Sequence, residues 1–126
     1  MSDVTTEELA RRLGEPGLVL LDVRRPDEFS GAMVAPCDPR PGRIPGARNL
    51  DVSLLLQCRD VAAVRDIVGE PEGTEVVAYC HSGSRSGMAV QVLVAAGYDA
   101  RNYVGSWHEW SRDDTLPAET GAATQA

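Results

Sequence analysis

The chain contains no lysine. Its 12 basic residues are all arginine and are outnumbered by 19 acidic ones, giving a net charge of −7. Such a chain exerts no general electrostatic pull on nucleic acid or anionic lipid, so any anion site has to be local. Apolar runs long enough to cross a bilayer are also missing. Met1 to Glu8 lacks both a basic stretch and an apolar one, so no signal peptide is expected and the cytoplasm is the expected compartment. The three cysteines, Cys37, Cys58 and Cys80, contain no C-x-x-C pair. That spacing argues against a disulfide framework or a zinc site and directs attention to a free reactive thiol. Neither a cofactor nor a metal is expected.

What is present is ordinary globular composition: 126 residues, 43% hydrophobic and 25% charged. This suits one domain with its own core. Thr5 and Glu8 have the spacing of a capping box, ahead of Leu9, Ala10 and Leu13 at helical spacing and Gly14 as a stop. Leu18 to Leu21 is a short apolar run ending at Asp22, which reads as a buried strand. Pro26 to Ser30 suits a short helix opened by proline, and Gly31 to Arg43 is a Gly/Pro-rich loop. Ala47 to Leu50 fits a short strand, and Asp60 caps a helix over 61–68 before Gly69. Glu75 to Tyr79 is a β-branched strand, Ser86 to Ala96 an apolar helix stopped by Gly97, and Ala100 to Val104 a further strand. Ser106 caps a last short helix carrying Trp107 and Trp110. Strands alternating with helices specify an α/β domain around a mainly parallel sheet, over residues 1–112. Residues 113–126 are small, polar and Thr/Ala-rich, and are expected to form a disordered tail.

The chemically informative stretch is Val76 to Ser86. A buried strand ends at a cysteine, a short polar loop follows, and a buried helix begins. Ligands in open α/β sheets bind at the carboxyl ends of strands. Loop amides and the free donors of a helix start can there converge on one atom. Around Cys80 they would favour the thiolate and a persulfide formed on it. Gly83 permits the tight turn, and Arg85 offers a cation to an oxyanion. Each assignment has a plainer counterpart. Cys80 could be a small buried core residue, Arg85 a solvated helix-start residue, and His81 an exposed loop histidine. Asp22 and Arg24 read better as an ion pair holding the Gly31 to Ala47 loop than as pocket chemistry. Trp107 and Trp110 read as packing, with Trp107 also able to line the pocket. Cys58 reads as passive.

Several motifs in order resemble the rhodanese family, over nearly all of Val4 to Trp110. They are Leu20-Leu21-Asp22-Val23-Arg24 with Pro26, Glu28, Phe29 and Gly31; Gly42 to Ala47 with Asn49; Tyr79-Cys80 through Gly83, Arg85 and Ser86; and Gly97-Tyr98 with Asn102-Tyr103, Gly105-Ser106-Trp107 and Glu109-Trp110. The resemblance implies an α/β fold with a central, mainly parallel five-stranded sheet flanked by helices. It implies a ping-pong sulfurtransferase in which Cys80 is the nucleophile and His81, Ser82, Gly83, Ser84, Arg85 and Ser86 hold the substrate. The implied partners are a sulfur donor such as thiosulfate and a cyanide or thiol acceptor, with a protein acceptor also open, and neither nucleic acid nor membrane. The six-residue loop from Cys80 to Arg85 has the size that the family uses for sulfur, one residue shorter than in related phosphatases. His81-Ser82 departs from the family's familiar donor-specific loops and leaves the donor open. The Gly31 to Gly42 segment is longer than in minimal members, and is either a wall of the active-site mouth or an idle surface loop. Cys37, within it, is a second sulfur-acceptor candidate. The alternative to an enzyme is a binding or regulatory module that keeps the fold without turnover.

Overall fold

The computed structural model describes residues 3–121. Four strands form the sheet among them: β1 (Leu18–Asp22), β2 (Arg48–Asn49), β3 (Glu75–Tyr79) and β4 (Asp99–Asn102), in the order β2-β1-β3-β4. Every pairing is parallel. Side chains along a strand alternate between faces. Leu21, Val76 and Ala78 accordingly enter one core with Leu55, Val64 and Leu93. Leu20, Val77 and Tyr79 enter a second core with Leu9, Ile44, Tyr103 and the two tryptophans. A strand buried on both faces reads as a continuous apolar run, which is what Leu18 to Leu21 shows.

Helices α3 (Val52–Leu56), α4 (Val61–Val68) and α5 (Ser84–Ala95) supply apolar side chains to the first core. Helices α1 (Thr6–Arg12) and α6 (Ser106–Trp110) supply them to the second. The short α2 (Pro26–Ser30) leads from β1 into the long loop. Asp60 accepts the Ala63 amide at 2.9 Å, and Gly69 closes α4 in the left-handed conformation. Thr5 accepts the Glu8 amide at 3.1 Å, but the Glu8 carboxylate receives Arg101 at 2.7 Å. Helix α3 has no counterpart in the sequence-based assignment, although Asp51 caps it through the Ser53 amide at 3.0 Å.

The five-stranded expectation is corrected to four strands among the described residues. Val4 makes a single parallel bridge to Tyr103 beyond the outer end of β4. Thr5 then caps α1 at once, so extended chain at that edge stops after one residue.

Residues 113–121, assigned from sequence to the tail, run back over the long loop. Arg43 and Glu119 exchange backbone hydrogen bonds of 2.9 and 3.0 Å. Trp110 Nε1 donates to the Pro117 carbonyl at 2.7 Å. Gly42 lies at φ +109°, where a Cβ would stand 2.2 Å from the Glu119 oxygen, so only glycine fits under this strap. Residues 122–126 of the assigned tail lie outside the described residues. No helix among the described residues is long and apolar enough to cross a membrane.

Candidate active site

Strand β3 delivers Cys80 to the carboxyl edge of the sheet, and α5 begins four residues later. Three polar groups surround its sulfur. The Gly83 amide donates at 3.1 Å, the Ser86 hydroxyl lies at 3.3 Å and the Ser106 hydroxyl at 3.9 Å. Burial pushes the thiol pKa up, but the Ser86 hydroxyl and the amides of Ser86, Gly83 and Ser82 outweigh it, and the net shift is downward. Gly83, at φ +99°, leaves no space for a side chain: a Cβ there would meet the Val104 carbonyl oxygen at 2.8 Å. The sulfur therefore sits where negative charge is stabilised. Cys80 is also 0% exposed, so ionisation is favoured at an atom that solvent does not touch.

The start of α6 holds the loop from behind. The Cys80 amide donates to Ser106 Oγ at 3.1 Å. Amides of Trp107 and His108 donate to the carbonyls of Cys80 and His81, both at 2.9 Å. Ser106 has φ +55°, an uncommon conformation for a residue with a Cβ. Its hydroxyl at once accepts from Cys80 and donates to the Tyr103 carbonyl at 2.9 Å. From the sequence Ser106 read as the cap of α6, but Gly105 holds that position and Ser106 is the first helical residue; its contact with Cys80 spans 26 positions, and no local pattern announces it.

The other candidate residues divide. Ser86 is fully buried beside the sulfur, while Ser82 and Ser84 are exposed. Arg85 is no free cation: its guanidinium makes a two-pronged pair with Glu28 at 2.9 and 3.2 Å. Arg85 holds the Glu28 carboxyl below the ordinary range against the upward push of burial. The imidazole of His81 is tied to Asp38 at 3.0 Å. Asp22 and Arg24, 0% and 3% exposed, form a buried ion pair at 2.7 Å. Arg24 also donates to the Gly42 carbonyl at 2.6 Å, so the pair secures the long loop. Trp107 lines a narrow cleft with Arg24, Glu28 and the long-loop residues Met33, Val34 and Asp38; Cys80 is not among its lining residues. The long loop is thus a wall beside the site. A wider cavity, about 500 Å³, opens between Thr5–Glu7 and Val104–Glu109; it reaches Ser82 but not Cys80.

The geometry fixes a pH signature. A thiolate reacts and a thiol does not, so a lowered pKa brings the rise in Cys80 reactivity to lower pH than the ordinary thiol value of about 8.5. Ser86→Ala removes the hydroxyl that opposes burial most strongly and leaves burial less opposed. The midpoint of Cys80 reactivity against pH should then move up by roughly one unit, the equivalent of one hydrogen bond of about 1.4 kcal/mol. Mass-detected modification by a small thiol reagent across pH measures it; an unmoved midpoint would show that the hydroxyl contributes nothing.

The chain is 35% identical over 123 residues to a thiosulfate sulfurtransferase of Pseudomonas aeruginosa, covering 91% of this chain and 45% of that protein. It is 41% identical over 126 residues to a probable 3-mercaptopyruvate sulfurtransferase of the same species, covering 90% and 43%. A solved structure described as a probable thiosulfate sulfurtransferase superposes with a TM-score of 0.80 at 46% identity, covering 93% of this chain and 47% of that one. The chain thus spans less than half the length of each of these relatives. A family model describing rhodanese-like domains matches residues 5–113, from the cap of α1 to just past α6, and by that match this protein belongs to the rhodanese-like domain family.

Proposed function

We propose that the protein is a sulfurtransferase working through a persulfide on Cys80. The observation that carries this reading is the convergence of the Gly83 amide and the Ser86 hydroxyl on one sulfur. In the first half-reaction the Cys80 thiolate attacks the outer sulfur of a donor such as thiosulfate. The new S–S bond forms as the donor's own S–S bond breaks, and sulfite departs with the bonding pair. In the second, a thiol or cyanide attacks the terminal sulfur and Cys80 leaves as the thiolate. Splitting the transfer through a covalent intermediate is the general logic of nucleophilic catalysis.

Arg24 and Arg85 are both engaged by carboxylates, so the loop amides hold the charge on the persulfide and on the departing group. The cleft between the long loop and Arg24, Glu28 and Trp107 is the route we assign to the donor, and it has to widen before the donor meets a sulfur without exposed surface. The competing reading, a binding module without turnover, draws its support from that same burial.

Relatives carry both thiosulfate and 3-mercaptopyruvate in their names, so both belong in the test. Incubation with each donor, followed by mass spectrometry, should add one sulfur atom per chain with at least one of them. A chain that gains no mass with either donor or with any other sulfur donor would favour the binding-module reading instead.

A further inference from the structure

The long loop, the active-site loop and α6 bring four metal-ligand side chains together outside the sulfur pocket. One ligand atom from each of Cys37, Asp38, His81 and His108 lies within 4.8 Å of the others. Cys37 Sγ stands 3.8 Å from His81 Nε2 and 3.9 Å from Asp38 Oδ1. His81 Nε2 lies 3.0 Å from Asp38 Oδ2, and His108 Nδ1 lies 4.0 Å from Asp38 Oδ1. A zinc tetrahedron with bonds of about 2.0–2.3 Å has ligand–ligand edges of roughly 3.3–3.7 Å. The separations of 3.8, 3.9 and 4.0 Å need to close, and that of 3.0 Å to open, by a few tenths of an ångström to reach that figure, and the remaining pairs lie within 4.8 Å.

A catalytic relay does not explain the cluster. In a Cys-His-Asp relay the thiol and the carboxylate use opposite nitrogens of the imidazole, whereas here both face Nε2. Donors converging on a shared point suit a central cation. The donor set, one sulfur, two imidazoles and one carboxylate, selects a zinc-class ion over magnesium or calcium. A thiolate and a carboxylate together neutralise a dication, and Cys37 releases its thiol proton to solvent on binding. The Asp38 side chain is only 2% exposed and faces both histidines and Arg112. Arg112 meets Asp38 Oδ1 at 3.3 Å and donates to the carbonyls of Cys37 and His108. It braces the two segments and shares the Asp38 carboxylate with the cluster: Oδ1 faces Arg112, Cys37 and His108, and Oδ2 faces His81.

We propose that Cys37, Asp38, His81 and His108 form a zinc-class metal site that latches the long loop onto the active-site loop and so holds shut the cleft assigned above to the donor. The spacing of the cysteines argued against zinc because this site uses a single cysteine, and the fold brings His81 and His108 from distant segments to the Cys37-Asp38 pair. The latch rests on the sulfurtransferase reading; the metal site does not.

Cobalt(II) titration of the full chain tests the site directly. Wild-type protein and Cys80→Ser should both develop a thiolate-to-cobalt charge-transfer band with the visible spectrum of a tetrahedral ion. Cys37→Ser should lose the band, and His108→Ala should weaken zinc binding at least about 100-fold, beyond the usual cost of a lost supporting contact. A band that survives Cys37→Ser, disappears with Cys80→Ser, or never forms overturns the site. For the latch, saturating zinc should slow sulfur uptake at least about tenfold in wild type and leave Cys37→Ser unaffected; equal slowing of both would overturn it. If no sulfur is ever taken up, the sulfurtransferase reading fails and the cobalt spectrum still decides the metal site.

Discussion

Replacing Cys80 by serine should lower sulfur uptake by at least about 10⁴-fold, the scale on which deletion of a covalent nucleophile acts, while stability changes by about 1 kcal/mol or less. The two expectations belong together. Serine fills nearly the same volume, and its hydroxyl can still receive the Gly83 amide that now reaches the sulfur at 3.1 Å. It can also meet Ser86, which lies 3.3 Å from the sulfur. The fold therefore has little reason to move. The chemistry has every reason to stop: a serine hydroxyl remains protonated where a cysteine with a lowered pKa ionises, and no stable group equivalent to a persulfide forms on oxygen. Mass spectrometry after exposure to thiosulfate and to 3-mercaptopyruvate, with thermal unfolding alongside, reads both quantities. Undiminished uptake by the variant would transfer the chemistry to Cys37, which is exposed, or to Cys58.

The collar around the sulfur was legible because it is local. Cys80 to Ser86 lies between a β-branched run and an apolar helix, and amides that curl inward at a strand-to-helix junction follow from that order alone. The caps at Asp60 and Gly69 were legible for the same reason. Helix α3 was not, because five residues are too few to establish a helical period. The strand count shows the opposite failure. Residue patterns identify four runs, and a fifth strand entered only through the family resemblance; Val4 supplies no more than a bridge.

What stayed hidden joins distant positions. Nothing near Arg40 announces that its guanidinium donates to the carbonyls of Trp110, Ser111, Asp113 and Leu116. These contacts tie residues 113–116 to the long loop, in a segment whose composition alone reads as a tail. Arg85 misleads in another way. Its charge is visible in the sequence, but the Glu28 carboxylate that occupies it lies 57 positions away. The burial of Cys80 is likewise a product of assembly, since Ser106 and Trp107 arrive from well downstream to hold its amide and carbonyl.

Arg24→Ala should cost about 3–5 kcal/mol, the range for removing one partner of a buried ion pair. Asp22 is 0% exposed. Three of the four hydrogen bonds that Arg24 gives its carboxylate come from the guanidinium, at 2.7 to 3.1 Å, and only the Arg24 amide, at 3.0 Å, would remain. The guanidinium also lies 5.7 Å from the Tyr79 ring centre and 5.4 Å from that of Trp107, so alanine leaves a void between two large side chains as well as an unpaired charge. Denaturant unfolding should show the loss as a lower midpoint with little change in slope. Pairing Arg24→Met with Asp22→Leu should restore much of it, because a packed apolar pair avoids the desolvation cost of the buried charges. The double variant still lacks the 2.6 Å bond to the Gly42 carbonyl, and that separates two roles of the pair. If its stability recovers while sulfur uptake does not, Arg24 matters to the reaction by holding the long loop beside the cleft. Recovery of both would confine the pair to supporting the fold, and a cost below about 1 kcal/mol for Arg24→Ala itself would show that the buried carboxylate finds another partner.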